Sequence, residues 1–428
     1  MAPILIALFS FLLRIWNLGT PQGFVFDEVY YVDGARDLLK YGVEVTGSSP
    51  EFIVHPPIGK WCIGLGIKLF GNNEFGWRIS SAIVGALLIY IVARIANHLF
   101  HSKSLNALAA GLMALDGLEL VHSRTALLDL FLTFFALLGA FAWLKNRYWM
   151  AGLFFGLAMA TKWSGVYFLV AFALAAIYMD FRTTGLSFRL LVKRKMQFFL
   201  LPVATYIFSW IGWFMSARGW DRHWAEGRKS SFSFIPAPLR SLWHYHAEMW
   251  HFHTTLTERH PYQANPWSWL VMGRPTSFYY ETPNSCGAKK CAQEVLALGT
   301  PLLWWFATLA IATVLGFWIS SHLTSKPDPV ASFILLGITA GYLPWFLFQK
   351  RTVFSFYAIV FEPFLILALV YCAKKYLGLQ PWDRNRKIIV AILVTAVAVN
   401  FFYFLPIFTA KVITYGAWSH MMWWPSWI

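Results

Sequence analysis

This sequence predicts an all-α protein that crosses a lipid bilayer many times, and three observations predict it. Of its 428 residues 58% are hydrophobic and only 13% charged, whereas a water-soluble domain is about a quarter charged. The apolar residues fall into runs of roughly 20, the length a helix needs to traverse hydrocarbon. Lys and Arg gather in alternate connections between those runs, as they do when one set of loops faces the cytoplasm.

The apolar runs number about eleven. They lie near 2–17, 76–98, 104–121, 125–144, 148–161, 163–180, 197–215, 298–320, 330–348, 352–373 and 388–407. The first is read as a helix rather than a cleaved signal, because Arg14 interrupts its end and no small-residue cleavage pattern follows.

With the N-terminus in the cytoplasm, the inner connections hold Arg94, Lys103, Lys145, Arg147, Arg182, Arg189, Lys193, Arg194, Lys195, Lys326, Lys374, Lys375, Arg384, Arg386 and Lys387. The short outer ones hold Arg124, Lys162, Lys350 and Arg351. Fifteen against four sets the expected orientation: N-terminus in, C-terminus out. The same asymmetry accounts for the formal charge of +15, since anionic headgroups would meet most of it, and nucleic acid is not an expected partner.

Two outer segments, 17–75 and 216–297, are too long to be connectors, so the working face is expected outside. They divide the chain into an N-terminal membrane module over 1–215, a large outer loop over 216–297 and C-terminal membrane helices over 298–428. In the first segment, residues 33–42 are spaced for a short interfacial helix stopped by Gly42, and Pro56-Pro57 opens a second one carrying Lys60 and Lys68. In the second, Cys286 and Cys291 lie five apart on an oxidising side and are expected to form a disulfide. Five histidines fall between His244 and His260. Pairs such as His251 and His253 point to different sides of a helix, and no Cys or carboxylate pattern completes a metal site, so they are read as interfacial residues hydrogen-bonding beside tryptophans.

Asp27 and Glu28 follow the first apolar run. Adjacent carboxylates are costly beside hydrocarbon and suggest chemistry at the membrane surface. Outside the membrane nucleotide sugars are not at hand, so a carboxylate pair with basic residues at headgroup depth suits transfer of a sugar from a polyprenyl phosphate. That reaction needs a base for the acceptor hydroxyl, for which Asp27 is the candidate, and positive charge for the departing phosphate. Lys60, Arg78, Arg124 and Arg351 are the candidates for that charge; Arg351 breaks the inside rule just before an apolar run. No Asp-x-Asp motif appears, and guanidinium and ammonium groups can neutralise a monophosphate unaided, so neither metal nor cofactor is expected.

The remaining candidates carry two readings each. Glu28 is either catalytic or a structural partner of Arg14 or Arg78. His55, before two prolines, either contacts substrate or caps the helix that follows. Lys60 either meets the donor phosphate or snorkels to ordinary lipid. Asp129 either contacts substrate or joins a buried network with Arg124, five residues before it. Lys162 is a phosphate contact or a solvated loop charge.

Arg14-Ile-Trp-Asn-Leu-Gly, Phe26-Asp-Glu-Val-Tyr-Tyr, His55-Pro-Pro-Ile-Gly-Lys, Gly76-Trp-Arg-Ile-Ser-Ser-Ala, His122-Ser-Arg-Thr-Ala-Leu-Leu-Asp and Ala160-Thr-Lys-Trp-Ser-Gly resemble, in order, the motifs of the protein O-mannosyltransferases. The resemblance implies a GT-C type membrane enzyme of the plasma membrane that moves mannose, with inversion, from polyprenyl-phosphate mannose to Ser or Thr of secreted or translocating proteins. It implies Asp27 as the acid-base residue, and matches Glu28, Arg14, Arg78 and Arg124 to other motif positions. Donor, protein acceptors, membrane lipid and the translocation machinery are the implied partners. Fungal and animal members carry a MIR domain in the second outer loop; 216–297 is too short for one, so the chain is similar to the short bacterial branch. Two other functions stay open: transfer from the same kind of donor to a glycan or lipid, and flipping of lipid-linked sugars, although no two-fold repeat of broken helices is visible.

Overall fold

The computed structural model describes residues 1–185 and 187–428. Helix α1 (Ala2–Ile15) leads through an irregular stretch to α2 (Glu28–Tyr41), a two-stranded hairpin β1 (Val45–Thr46) and β2 (Ser49–Pro50), and α3 (Ile58–Phe70). Then follow α4 (Glu74–Phe100), α5 (Lys103–Ala114), α6 (Gly117–His122), α7 (Leu128–Leu144), α8 (Tyr148–Thr161), α9 (Gly165–Thr184) and α10 (Phe188–Lys195). A π turn over Met196–Leu200 runs into α11 (Leu201–Ser209) and α12 (Ile211–Met215). The second long segment holds α13 (Ala237–Thr255), β3 (Thr276–Glu281) and β4 (Cys291–Ala297). The chain continues through α14 (Pro301–Leu323), α15 (Pro329–Tyr342), α16 (Glu362–Leu377), α17 (Arg384–Phe408), β5 (Ile413–Thr414) and α18 (Tyr415–Met421).

Among the described residues, α4, α9, α14, α15 with its 3-10 extension to Phe348, and α17 are long and apolar enough to cross a membrane. α1, α7 and α8 are shorter apolar helices. The expected interfacial helices are α2 and α3. α2 ends where Gly42 enters the left-handed region at φ 76°, a conformation that costs glycine nothing. A Cβ at Gly212 would collide with the Gly42 carbonyl, so both positions stay bare where α12 meets the end of α2.

Three expected runs differ in detail. The run 104–121 is two helices, because the Asp116 carboxylate caps Leu118 and Glu119 and also accepts from the Thr300 amide and the Trp304 indole. The run 197–215 is divided by its π turn and by Trp210. The run 352–373 becomes α-helical only at Glu362; Ser355–Val360 is a 3-10 helix. Hydropathy registers apolar length, whereas these breaks are made by caps and aromatic packing from distant segments.

Apart from the short β5, strand lies in the two long segments. β3 and β4 pair antiparallel with a bulge at Ser277/Tyr279, and β5 adds to β4 at Cys291 and Ala292. Cys286 and Cys291 are joined by a disulfide with Cα atoms 5.8 Å apart. The connections 324–328 and 378–383 lie at one end of the bundle, and both long segments lie at the other.

Candidate active site

Asp27 stands just before α2, and the loop that presents it is held by two buried guanidiniums, with a third, Arg14, tying the preceding helix to α6. Arg78, in the first turns of α4, donates to both oxygens of Glu28 at 2.8 Å. It also donates to the carbonyls of Leu18, Pro21 and Gly23 at 3.2, 2.8 and 2.8 Å. Glu28 further accepts from the amides of Val25 and Ala126, each at 2.8 Å. Arg124 donates to the carbonyls of Leu13, Arg14, Trp16 and Asn17, and Arg14 pairs with Glu119. Arg14, Glu28 and Arg78 are 0% exposed. A carboxylate or guanidinium so enclosed is stable only because its partners replace water.

Phe26 is driven to φ 52°, a region that a bulky residue seldom adopts. Its ring stacks on Phe278 at 4.8 Å and meets Phe354 and Phe356 edge-on. That packing from β3 and from the 354–356 stretch turns the next residue, Asp27, away from the clamp.

What Asp27 meets is a second polar cluster. The Tyr31 hydroxyl, one helical turn on, donates to Oδ2 at 3.4 Å. Burial pushes the Asp27 carboxyl up to about 6, opposed by the Lys162 ammonium, reinforced by the Asp129 charge and opposed again by Tyr31. Lys162 Nζ lies 2.9 and 3.1 Å from the two oxygens of Asp129 and 4.1 Å from the centroid of the Tyr357 ring. Burial alone would lower Lys162, but Asp129 and Tyr357 hold it above its ordinary value.

Arg351 closes the cluster. Its Nη2 donates to His253 Nδ1 at 3.1 Å, while His253 Nε2 donates to the Val54 carbonyl at 2.8 Å. The carbonyl thus fixes the tautomer that leaves Nδ1 free to accept. Burial and the Arg351 charge push His253 down to about 4. The His55 ring lies 5.5 Å from His253 and 6.1 Å from Tyr31; burial, with Lys162 adding to it, holds His55 well below its ordinary value. His55 Nδ1 and Arg351 Nε are buried without a partner among the described residues, one a ring nitrogen and the other a donor on a cation.

The chain therefore brings Asp27, His55, Asp129, Lys162 and Arg351 together. It turns Glu28, Arg14, Arg78 and Arg124 to the loop behind them. Lys60 is buried one turn beyond the prolines, with Nζ 2.9 Å from Glu44, so its charge reaches His55 while its hydrogen bond goes elsewhere. Three members of the cluster carried no assignment from sequence. Tyr31 stands four residues after Asp27 on the same helix face, a usable signal. Tyr357 has no such spacing signal, and His253 was grouped with the interfacial histidines. That group does sit beside tryptophan: Trp163 faces both His246 and His253, at 5.9 and 5.6 Å.

Known proteins share this arrangement of segments. A family model described as dolichyl-phosphate-mannose-protein mannosyltransferase matches residues 54–213. A second, for the C-terminal four-TMM region of protein-O-mannosyltransferase, matches 238–427. The chain is 34% identical to the polyprenol-phosphate-mannose–protein mannosyltransferase of Mycolicibacterium smegmatis, over 97% of this chain and 90% of that one. The chain belongs to the protein O-mannosyltransferase family. It is therefore a membrane glycosyltransferase. The corresponding Mycobacterium tuberculosis protein is 33% identical over 99% of this chain and 91% of its own.

Two solved structures share its GT-C type fold. The Saccharomyces cerevisiae Pmt1–Pmt2 complex bound to the sugar donor superposes with a TM-score of 0.82 at 15% identity, over 100% of this chain and 92% of that one. ArnT from Cupriavidus metallidurans bound to undecaprenyl phosphate gives 0.54 at 17%, over 94% and 70%.

Proposed function

We propose that this family member transfers mannose from polyprenyl-phosphate mannose to Ser or Thr hydroxyls of proteins by a single inverting displacement, with Asp27 as the base. One observation carries the reading: a carboxylate raised to about 6, with Tyr31 as its one hydrogen-bond partner among the described residues, feels the Lys162 ammonium, and Lys162 in turn feels Arg351. The relatives' names supply the donor and the class of acceptor.

In this reaction the Asp27 carboxylate takes the proton from the acceptor hydroxyl as its oxygen bonds to the anomeric carbon. The bond from that carbon to the phosphate oxygen breaks, and the electron pair leaves with the polyprenyl phosphate. Base strength and position favour Asp27 for this, since a carboxyl near 6 is ionised at neutral pH yet still accepts a proton readily. Arg351 and Lys162 offset the charge that grows on the leaving phosphate, in a site where burial strengthens each interaction. Neutral His253 braces Arg351 without adding charge, and His55 keeps its Nδ1 open for a hydrogen bond. Glu28 and Arg78 act as positioning residues that hold the turn at Phe26, while Arg124 fixes the end of α1 ahead of it and Arg14 ties α1 to α6 through Glu119. Lys60 serves the same site through its charge.

The site would face outward, with the N-terminus in the cytoplasm of a plasma-membrane protein and eleven crossings dividing the chain at 215 and 298. The fifteen-to-four distribution of Lys and Arg supports that orientation. Acceptors emerging from the translocation machinery would then reach the site from the 216–297 side.

The test is a purified-enzyme assay with polyprenyl-phosphate mannose and a Ser/Thr peptide, reading peptide mannose and its anomeric configuration. Mannosylated peptide of inverted configuration is expected. Transfer to a lipid or glycan with none to peptide, or retained configuration, overturns the assignment.

A further inference from the structure

At the end of the bundle opposite Asp27, the connections 324–328 and 378–383 meet over a cleft of about 620 Å³. Its size falls in the range of small-molecule sites, and it belongs to no part of the catalytic cluster. Three ammonium groups line it: Lys326, Lys374 and Lys375. The one carboxylate there, Asp328, is already engaged. Its Oδ1 caps the amides of Val330 and Ala331 at 3.0 and 2.9 Å, and its Oδ2 accepts from the Tyr371 hydroxyl at 2.8 Å and lies 3.4 Å from Lys375 Nζ. Lys326 and Lys374 have no carboxylate partner among the described residues, and Lys374 Nζ rests 5.5 Å from the Phe100 ring centroid.

The cleft thus has a cationic rim left uncompensated and a wall of apolar side chains. Phe100 and Phe317 form that wall. Leu379, one of its lining residues, is 95% exposed, and Leu323, next in sequence to the lining Thr324, is 82% exposed, an arrangement suited to hydrocarbon rather than water. A ligand matching these features carries a monoanionic phosphodiester linked through a glycerol backbone to acyl chains.

We propose that this cleft binds the phosphodiester headgroup of an anionic glycerophospholipid, with Lys326 and Lys374 on the phosphate and the acyl chains against Leu323 and Leu379. The site is separate from the donor's and lies in the opposite leaflet. Its occupant ties the α14–α15 connection to the α16–α17 connection. Basic pockets between membrane helices are suited to such headgroups.

Native mass spectrometry of the full chain in detergent, with phosphatidylglycerol or phosphatidylcholine added at equal concentration, tests this. Wild type is expected to retain phosphatidylglycerol about tenfold better, and Lys326→Ala/Lys374→Ala to lose that preference. Lys103→Ala/Lys193→Ala, which removes charge from the same end outside the cleft, should keep it. Equal retention of both lipids by wild type, or an unchanged preference in the cleft variant with its elution and helical circular dichroism intact, overturns the proposal. Displacement of the lipid by equimolar inorganic phosphate also overturns it, in favour of a free-anion site. A variant-free arm covers misfolding: phosphatidylglycerol retention by wild type should fall as salt rises, and salt-independent retention counts against the site.

Discussion

Arg78 and Glu28 share two hydrogen bonds of 2.8 Å with neither side chain exposed, and that pair, next to Asp27 in sequence, faces away from it in space. Adjacent carboxylates at the start of one helix thus have separate duties. Glu28 anchors the loop to α4 and to the Ala126 amide, and Asp27 is left to the open side.

Breaking the clamp leaves a buried charge alone. Glu28→Gln and Arg78→Leu are each expected to destabilise the fold by about 3–5 kcal/mol, and the double substitution by much less than the sum. Unfolding in detergent, followed by circular dichroism against denaturant, measures both quantities. Additive losses would mean that the two residues act independently.

Asp27→Asn should lower mannosyl transfer by about 100-fold or more while donor binding stays near wild type, because the amide keeps the shape and loses the proton acceptance. Turnover with polyprenyl-phosphate mannose, alongside an equilibrium donor-binding measurement, separates the two. Wild-type turnover in this variant removes the base assignment.

The charge environment of Asp27 fixes the sign of a pH effect. A base must be ionised to work, so kcat/KM should rise as pH passes upward through about 6 and level off above it. Lys162 favours the ionised form, so Lys162→Met should move that midpoint upward. Asp129 opposes it, so Asp129→Asn should move it downward. Profiles from pH 5 to 8 would show whether the two variants move in opposite directions; parallel shifts would disconnect both residues from Asp27.

Arg351 and His253 form one unit. Arg351→Ala should raise the donor Kd about 10- to 100-fold, the range for a lost charged hydrogen bond. His253→Leu, which keeps volume but removes the Nδ1 acceptor, should raise it by less, with Arg351 left to find other partners. Donor titration of both variants decides: unchanged affinity in each would remove the phosphate assignment from this pair.

Membrane class, the long segments, the helices α2 and α3 and the candidacy of Asp27 follow from composition, run length and local motif, since each depends on residues close in sequence or on their bulk hydropathy. The division of labour between Asp27 and Glu28 does not, for it depends on Arg78 and Ala126 arriving from elsewhere. The same holds for Arg124, a basic residue in a short connection, expected from sequence to face a phosphate; its guanidinium is engaged by four carbonyls of the 13–17 turn. His253 looked like one of five similar histidines. Its tautomer and its partner come from Val54 and Arg351, about 100 to 200 residues away in the chain.

The membrane class, the family and the candidate carboxylate were legible from the chain alone, because hydrophobic length and short motifs are local quantities. Which charges face that carboxylate and which are locked behind it was decided only by tertiary structure. A buried charge is defined by the partners that replace its water, and those partners come from α4, α7, α8, α13 and the 351–357 stretch.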